Sequence, residues 1–297
     1  MYVRAVLGVI LCAMLSTSTI AAGQGRLNVY AVNYPLQYFA QRIAGDHAEV
    51  SFPAPADEDP AFWQPGVDII AGYQQADLIL LNGAGYAKWI NRVSLPGRKL
   101  EDTSAGFRDQ YIHIDEDVTH SHGPGGDHSH TGTAFTTWLD LKQAATQARI
   151  IADALTRKRP EWEMDFSRNL AVLEADLQAV DQQIQSIVAV KPALPLLASH
   201  PVYQYFQRRY GLNLQSVMWE PDEMPDEAQW TLFERTLSDH PARWMIWEDQ
   251  PHPKIVKRLR AMGVESIVFN PAGNRPNEGD FLTVMGQNVK HLQQAFK

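Results

Sequence analysis

The chain has 297 residues, of which 45% are hydrophobic and 20% charged, with a formal net charge of -8 at pH 7. That length accommodates two lobes at the usual ~100–200 residues per domain, with ample apolar material for their cores. No basic run exists to neutralise phosphates, so a nucleic-acid partner is not expected.

Residues 1–22 read as a secretory signal rather than as part of the fold. Arg4 precedes an apolar run over 5–15, and small and polar residues follow over 16–22, with cleavage expected after Ala21 or Ala22. The run is too short for a membrane anchor, which needs ~20 apolar residues. The single cysteine, Cys12, lies inside that run and follows Leu11, whereas a lipid-bearing cysteine would follow a small residue. The exported chain is therefore expected to hold no thiol, so any metal has to be bound by nitrogen and oxygen.

From residue 27 onward short apolar runs alternate with helical patterns. Strands are predicted at 27–32, 50–52 and 78–81, with helices at 36–43 and 68–75 and another beginning near Tyr86. This β-α-β rhythm predicts a parallel sheet covered by helices. Residues 115–132 break the pattern: Gly123, Pro124, Gly125 and Gly126 stand among polar residues, which predicts a mobile surface loop. A helix is expected over 141–155.

The most regular pattern lies between Pro160 and Val190. Phe166, Leu170, Leu173, Leu177, Val180, Ile184 and Ile187 recur at alternating spacings of four and three, one apolar stripe on a long helix. About 30 residues at ~1.5 Å each give ~45 Å, enough to span two lobes as a stiff spine. The alternation then resumes, with strands predicted at 194–198, 214–217, 244–247 and 266–269. Helices are predicted at 202–210, 228–238, 253–262 and 281–296. The expected fold class is α/β: two lobes, each a parallel sheet with helices on both faces, joined by one long rigid helix. The expected division is a signal at 1–22, an N-terminal lobe at 27–155 carrying the loop 115–132, a linking helix at 160–190, and a C-terminal lobe at 191–297.

Ligands of such sheets collect at the carboxyl ends of the strands. That rule places His200, Trp219, Glu220, Glu248, Asp249 and Asn270 around one crevice. The loop contributes a second group, since His120, His122, His128 and His130 form two His-x-His pairs. Neutral imidazole is the commonest nitrogen ligand of zinc, copper and nickel. No nucleophile elbow, phosphate-cradling glycine loop or His-Glu-x-x-His helix is present, so an enzyme is not expected.

Several segments resemble the zinc and manganese solute-binding family of ABC importers. These are Ala76-Asp77-Leu78 leading to Asn82-Gly83 and Trp89, then Trp138-Leu139-Asp140, then Ser199-His200 with Tyr205-Phe206 and Arg209-Tyr210-Gly211-Leu212, and finally Asn270-Pro271. They occur in the family's order over nearly the whole exported chain. The resemblance implies two α/β lobes on a rigid helix, a metal buried between them, and delivery to a membrane permease by a periplasmic monomer. Zinc is the implied cargo, with manganese or another divalent ion as the alternative.

The family's ligands carry over at one place. Its first histidine falls on Ala61, its second on Thr136, its third on His200, and its fourth, acidic ligand on Asn270. Alanine has no donor, and an amide oxygen is a weak neutral one. A repaired site is expected to combine His200 and Glu248 with an oxygen from Asp57, Glu58 or Asp59 and with His128 or His130 from the loop. Two other readings are open. Trp63, Trp138, Trp219 and Trp247 could line the crevice for an organic cation or a metal chelate, or the chain could act as a periplasmic metal chaperone.

Overall fold

The computed structural model describes residues 25–114, 119–121, 127–129 and 132–297. Two four-stranded sheets, both wholly parallel, form the centres of two lobes. In the first, β1 (Leu27–Ala31), β2 (Ala48–Ser51), β3 (Leu78–Leu81) and β4 (Leu100–Asp102) lie in the order β2-β1-β3-β4. Helices α1 (Tyr34–Ala44), α2 (Val67–Gln75) and α3 (Leu141–Lys158) accompany this sheet. Asn33 starts α1 by accepting the amide of Leu36, and Pro35 fits the first turn, where its missing N–H costs nothing. Asp140 caps α3 through the amides of Lys142 and Gln143.

One expectation for this lobe is corrected. No α-helix begins near Tyr86; a 3-10 turn, Lys88–Arg92, stands there instead. The backbone before it is left-handed at Gly83, Ala84, Gly85 and Ala87, which an α-helix cannot contain. Two short antiparallel pairs are described at the base of the loop and within it. β5 (His113–Ile114) pairs antiparallel with β8 (Gly132–Thr133), and β6 (Thr119–Ser121) with β7 (Asp127–Ser129).

Helix α4 (Glu163–Val188) follows a 3-10 turn at Pro160–Trp162 and is 26 residues long, ~39 Å at the usual rise. It packs on α1 and α3 of the first lobe and on α8 (Phe281–Phe296) and α5 (Gln204–Tyr210) of the second. Its stripe is buried at Phe166, Leu173, Leu177 and Ile184. Arg42 pairs with Asp176 at 2.6 Å in the first lobe. In the second, Asp181 accepts from Arg209 and from the Tyr210 hydroxyl.

The second sheet has β9 (Pro195–Ala198), β10 (Asn213–Ser216), β11 (Trp244–Trp247) and β12 (Glu265–Val268) in the order β10-β9-β11-β12. Around it lie α5, α6 (Glu227–Asp239), α7 (Pro253–Ala261) and α8. One apolar core runs through both lobes, from Leu27 to Phe296. A smaller core gathers Trp219, Trp230, Phe233, Met245 and Trp247 in the second lobe. Of the four tryptophans proposed to line a crevice, Trp138, Trp219 and Trp247 are fully enclosed and Trp63 is buried as well. They are core residues, so the aromatic-lined crevice does not form.

Candidate metal site

Parallel strands deliver their carboxyl ends to one edge, and the second sheet places three adjacent ends there. His200 follows β9 by two residues, Glu220 follows β10 by four, and Glu248 directly follows β11. Their potential ligand atoms all lie within 4.8 Å of one another, and His200 Nδ1 is 3.1 Å from Glu220 Oε1. His200 is buried and the two glutamates half-buried. One imidazole and two carboxylates provide nitrogen and oxygen donors, and the two carboxylates balance a divalent charge. Zinc accepts such a mixed nitrogen and oxygen set at ~2.0–2.2 Å per bond.

Tyr203 is enclosed, its hydroxyl donating to Phe269 O at 2.8 Å. Burial pushes its pKa well above the usual tyrosine value, and the nearby Glu248 charge adds to that shift. A half-buried carboxylate interacts with a cation more strongly than one fully in water.

The other expected residues are arranged differently. Ala61 is buried, 2% exposed, and its amide donates to the Asp59 carboxylate at 2.8 Å. Asp59 and Glu58 stay in the first lobe, outside the three-residue cluster. Glu58 is exposed, and its backbone carbonyl accepts from Asn274. Thr136 is 5% exposed, and its hydroxyl donates to Val202 O at 2.6 Å. Asn270 Oδ1 accepts the amide of Ala272 at 2.7 Å, supporting the left-handed backbone there. Asp249 is exposed, and its carboxylate accepts from the next amide, that of Gln250. In the loop, the backbones of His120 and His128 stand opposite each other in register. His122 and His130 lie outside the described residues. Glu220 was placed among six crevice residues by the strand-end rule, but the motif comparison gave no reason to choose it as a ligand.

A family model for the periplasmic zinc-uptake complex component A matches residues 29–295. The zinc-binding lipoprotein AdcA of Streptococcus pneumoniae serotype 4 is 24% identical over 299 residues, which cover 96% of this chain and 59% of that relative. The chain thus spans under two thirds of the length of the streptococcal relatives it matches. The high-affinity zinc uptake system protein ZnuA of Bacillus subtilis is 23% identical, with 96% and 92% of the two chains covered. Among solved structures, the metal-dependent lipoprotein YcdH of Bacillus subtilis superposes with a TM-score of 0.78 at 19% identity, covering 91% of this chain and 99% of that one. Zn(II)-bound AdcA of Streptococcus pneumoniae gives 0.75 at 20% identity, covering 92% and 58%. These likenesses establish the two-lobed α/β fold on a long helix. With the family model spanning nearly all of the exported sequence, the chain belongs to the family of periplasmic zinc-uptake complex component A.

Proposed function

We propose that this chain is the exported solute-binding component of an ABC-type metal importer, and that its cargo is zinc held by His200, Glu220 and Glu248. The observation that carries the reading is the convergence of these side chains at three adjacent strand ends, with ligand atoms within 4.8 Å of one another. The zinc-binding names of AdcA and ZnuA support the choice of ion. Residues 1–22 act as a cleaved export signal, the chain works as a periplasmic monomer, and a membrane permease receives the ion. The N-terminal lobe comprises 27–155 and the C-terminal lobe 191–297, linked by the helix at 160–190.

Chemically, His200 contributes a neutral nitrogen. Protons compete with the metal for that nitrogen, as they do for any imidazole ligand. Glu220 and Glu248 neutralise the ion, which lets it rest beside the buried Tyr203 without an uncompensated charge. Isothermal titration of zinc into the full exported chain and into His200→Ala, Glu220→Gln and Glu248→Gln tests the assignment. Each substitution is expected to weaken zinc at least ~10-fold, equivalent to ~1.4 kcal/mol. Unchanged affinity in all three would remove the site from the C-terminal lobe.

A further inference from the structure

Three arms of the chain carry the proposed ligands, and backbone hydrogen bonds join them. The amide of Trp219 donates to Ser199 O at 2.8 Å, which ties the arm of Glu220 to that of His200. The amide of Ser199 donates to Ile246 O at 2.8 Å, which ties His200 to the end of β11, where Glu248 follows. On the other side of Glu220, Pro221 O accepts the amide of His252 at 2.8 Å. The main chain is thus held both before and after Glu220, and the proline further restricts the backbone of Glu220 itself. These bonds leave the side-chain direction to be set by packing.

Each glutamate is directly preceded by a buried tryptophan. Trp219 and Trp247 both belong to the smaller core of the second lobe. The Trp219 ring stacks on Phe233 with centroids 4.8 Å apart, meets Trp230 edge-on at 4.6 Å, and lies 6.3 Å from Trp247. An indole enclosed by three aromatic rings has little room to change rotamer or to shift. Glu220 is one residue away, so a displacement of Trp219 carries its carboxylate along. The two tryptophans differ in what else holds them. Trp247 lies inside β11, which pairs with β9 and β12. Trp219 lies beyond the end of β10, and the aromatic core is its main side-chain anchor.

We infer that Trp219 is a positioning residue of the metal site, its indole in the aromatic core fixing where the Glu220 carboxylate meets the ion. The inference rests on the proposal that His200, Glu220 and Glu248 hold that ion. Trp219 itself offers the ion no ligand and acts through Glu220. Groups that orient metal ligands from behind typically cost about 10–100-fold in affinity when they are lost.

Calorimetric titration of zinc into variants of the full exported chain, with urea denaturation beside it, provides the test. Trp219→Leu should weaken zinc at least ~10-fold. Trp219→Phe, which keeps a ring against Phe233, should stay within about threefold of wild type. Leu259→Ala empties part of the same core from α7. It should lower the urea midpoint comparably to Trp219→Leu and yet leave zinc affinity within about threefold, a contrast that loss of stability alone could not give. In a Glu220→Gln background, Trp219→Leu should cost less than about threefold, because the carboxylate it positions is gone. If Trp219→Leu does not fold, Trp219→Met, which fills more of the gap, replaces it in every comparison. Wild-type affinity in Trp219→Leu, an equal loss in Leu259→Ala, or the same loss with and without the Glu220 carboxylate would each overturn the positioning role. If Glu220→Gln on its own still weakens zinc, the metal site survives that outcome. If His200→Ala, Glu220→Gln and Glu248→Gln all leave zinc affinity unchanged, the metal site and the positioning role fall together.

Discussion

Replacing Asp181 by alanine should lower the melting temperature by about 4–16 °C. Asp181 lies on α4, 8% exposed, and joins the spine helix to α5 of the second lobe. Its carboxylate accepts from Arg209 at 3.0 and 2.6 Å, from the Tyr210 hydroxyl at 2.9 Å and from Gln185 at 2.8 Å. Breaking a buried pair by removing one partner costs about 3–5 kcal/mol, because the other charge stays buried and unpaired. Here Arg209 keeps 18% side-chain exposure and a second carboxylate, Asp140, at 3.7 Å. Both relieve part of the penalty, so a loss of about 2–4 kcal/mol is expected. For a chain of this size each kcal/mol moves the midpoint by roughly 2–4 °C. Scanning calorimetry of the wild type, Asp181→Ala, Arg209→Ala and the double variant measures both the loss and its coupling. The double variant should recover much of the single loss, since the stranded charge is gone. A shift below about 2 °C for Asp181→Ala, or strict additivity in the cycle, would refute the assignment of this ion pair as the clamp between spine and lobe. Zinc affinity should stay within about threefold of wild type, because Asp181 touches none of the three proposed ligands.

Two further outcomes follow from burial and capping. Burial holds Tyr38 up to about 12 and raises Tyr73, Tyr86, Tyr203 and Tyr210 above the ordinary tyrosine value. A phenol whose folded pKa is raised contributes stability that is complete below the unfolded value near ~10 and is lost as pH climbs through the folded value. Stability should therefore fall above about pH 10, and ultraviolet titration should show these tyrosines ionising only as the chain unfolds. Tyrosinate near pH ~10 without unfolding, in excess of what the chain's other tyrosines can supply, would contradict the enclosure of these five rings. Asp140→Ala removes the cap of α3 and should cost about 1–2 kcal/mol in urea denaturation, while Asp140→Asn, which keeps the accepting oxygen, should cost less than half of that. Equal losses for the two variants would assign the effect to charge rather than capping.

The long helix was legible because its signal is local. Seven apolar residues at helical spacing mark one face, and the structure buries that face wholly at Phe166, Leu173, Leu177 and Ile184 and in part at Leu170, Val180 and Ile187. Helix α8 was likewise predicted over 281–296, where Asp280 marks the start by capping Thr283. Strand β4 was not anticipated. Its three residues, Leu100–Asp102, alternate too briefly to register, and only pairing with β3 makes them a strand. The missing helix near Tyr86 has a similar cause. Ala84 and Ala87 are good helix formers in isolation, yet tertiary packing holds both in left-handed backbone. Nothing in an alanine announces that.

The site divides along the same line. Strand-end topology brought His200, Glu220 and Glu248 to one edge from sequence alone, but so it did Trp219, Asp249 and Asn270. Choosing among the six requires side-chain direction. Trp219 turns into the core, Asp249 turns to solvent and Asn270 turns back on its own loop. The retained histidine and the lost partners then acquire one physical explanation. Where donors come from both lobes, an ion is itself part of the contact between them. In this chain that contact is made by the protein: Thr136 to Val202, Trp138 to Pro271, Tyr205 to Ala134, and Asn274 to Pro55 and Glu58, over a continuous apolar core. Ala61 and Thr136 are both buried in this packing, and the Thr136 hydroxyl takes part in it. On the proposed assignment to His200, Glu220 and Glu248, all donors belong to one lobe, and metal binding need not supply the energy that keeps the lobes together. On that assignment its affinity is set chiefly by the three donors themselves.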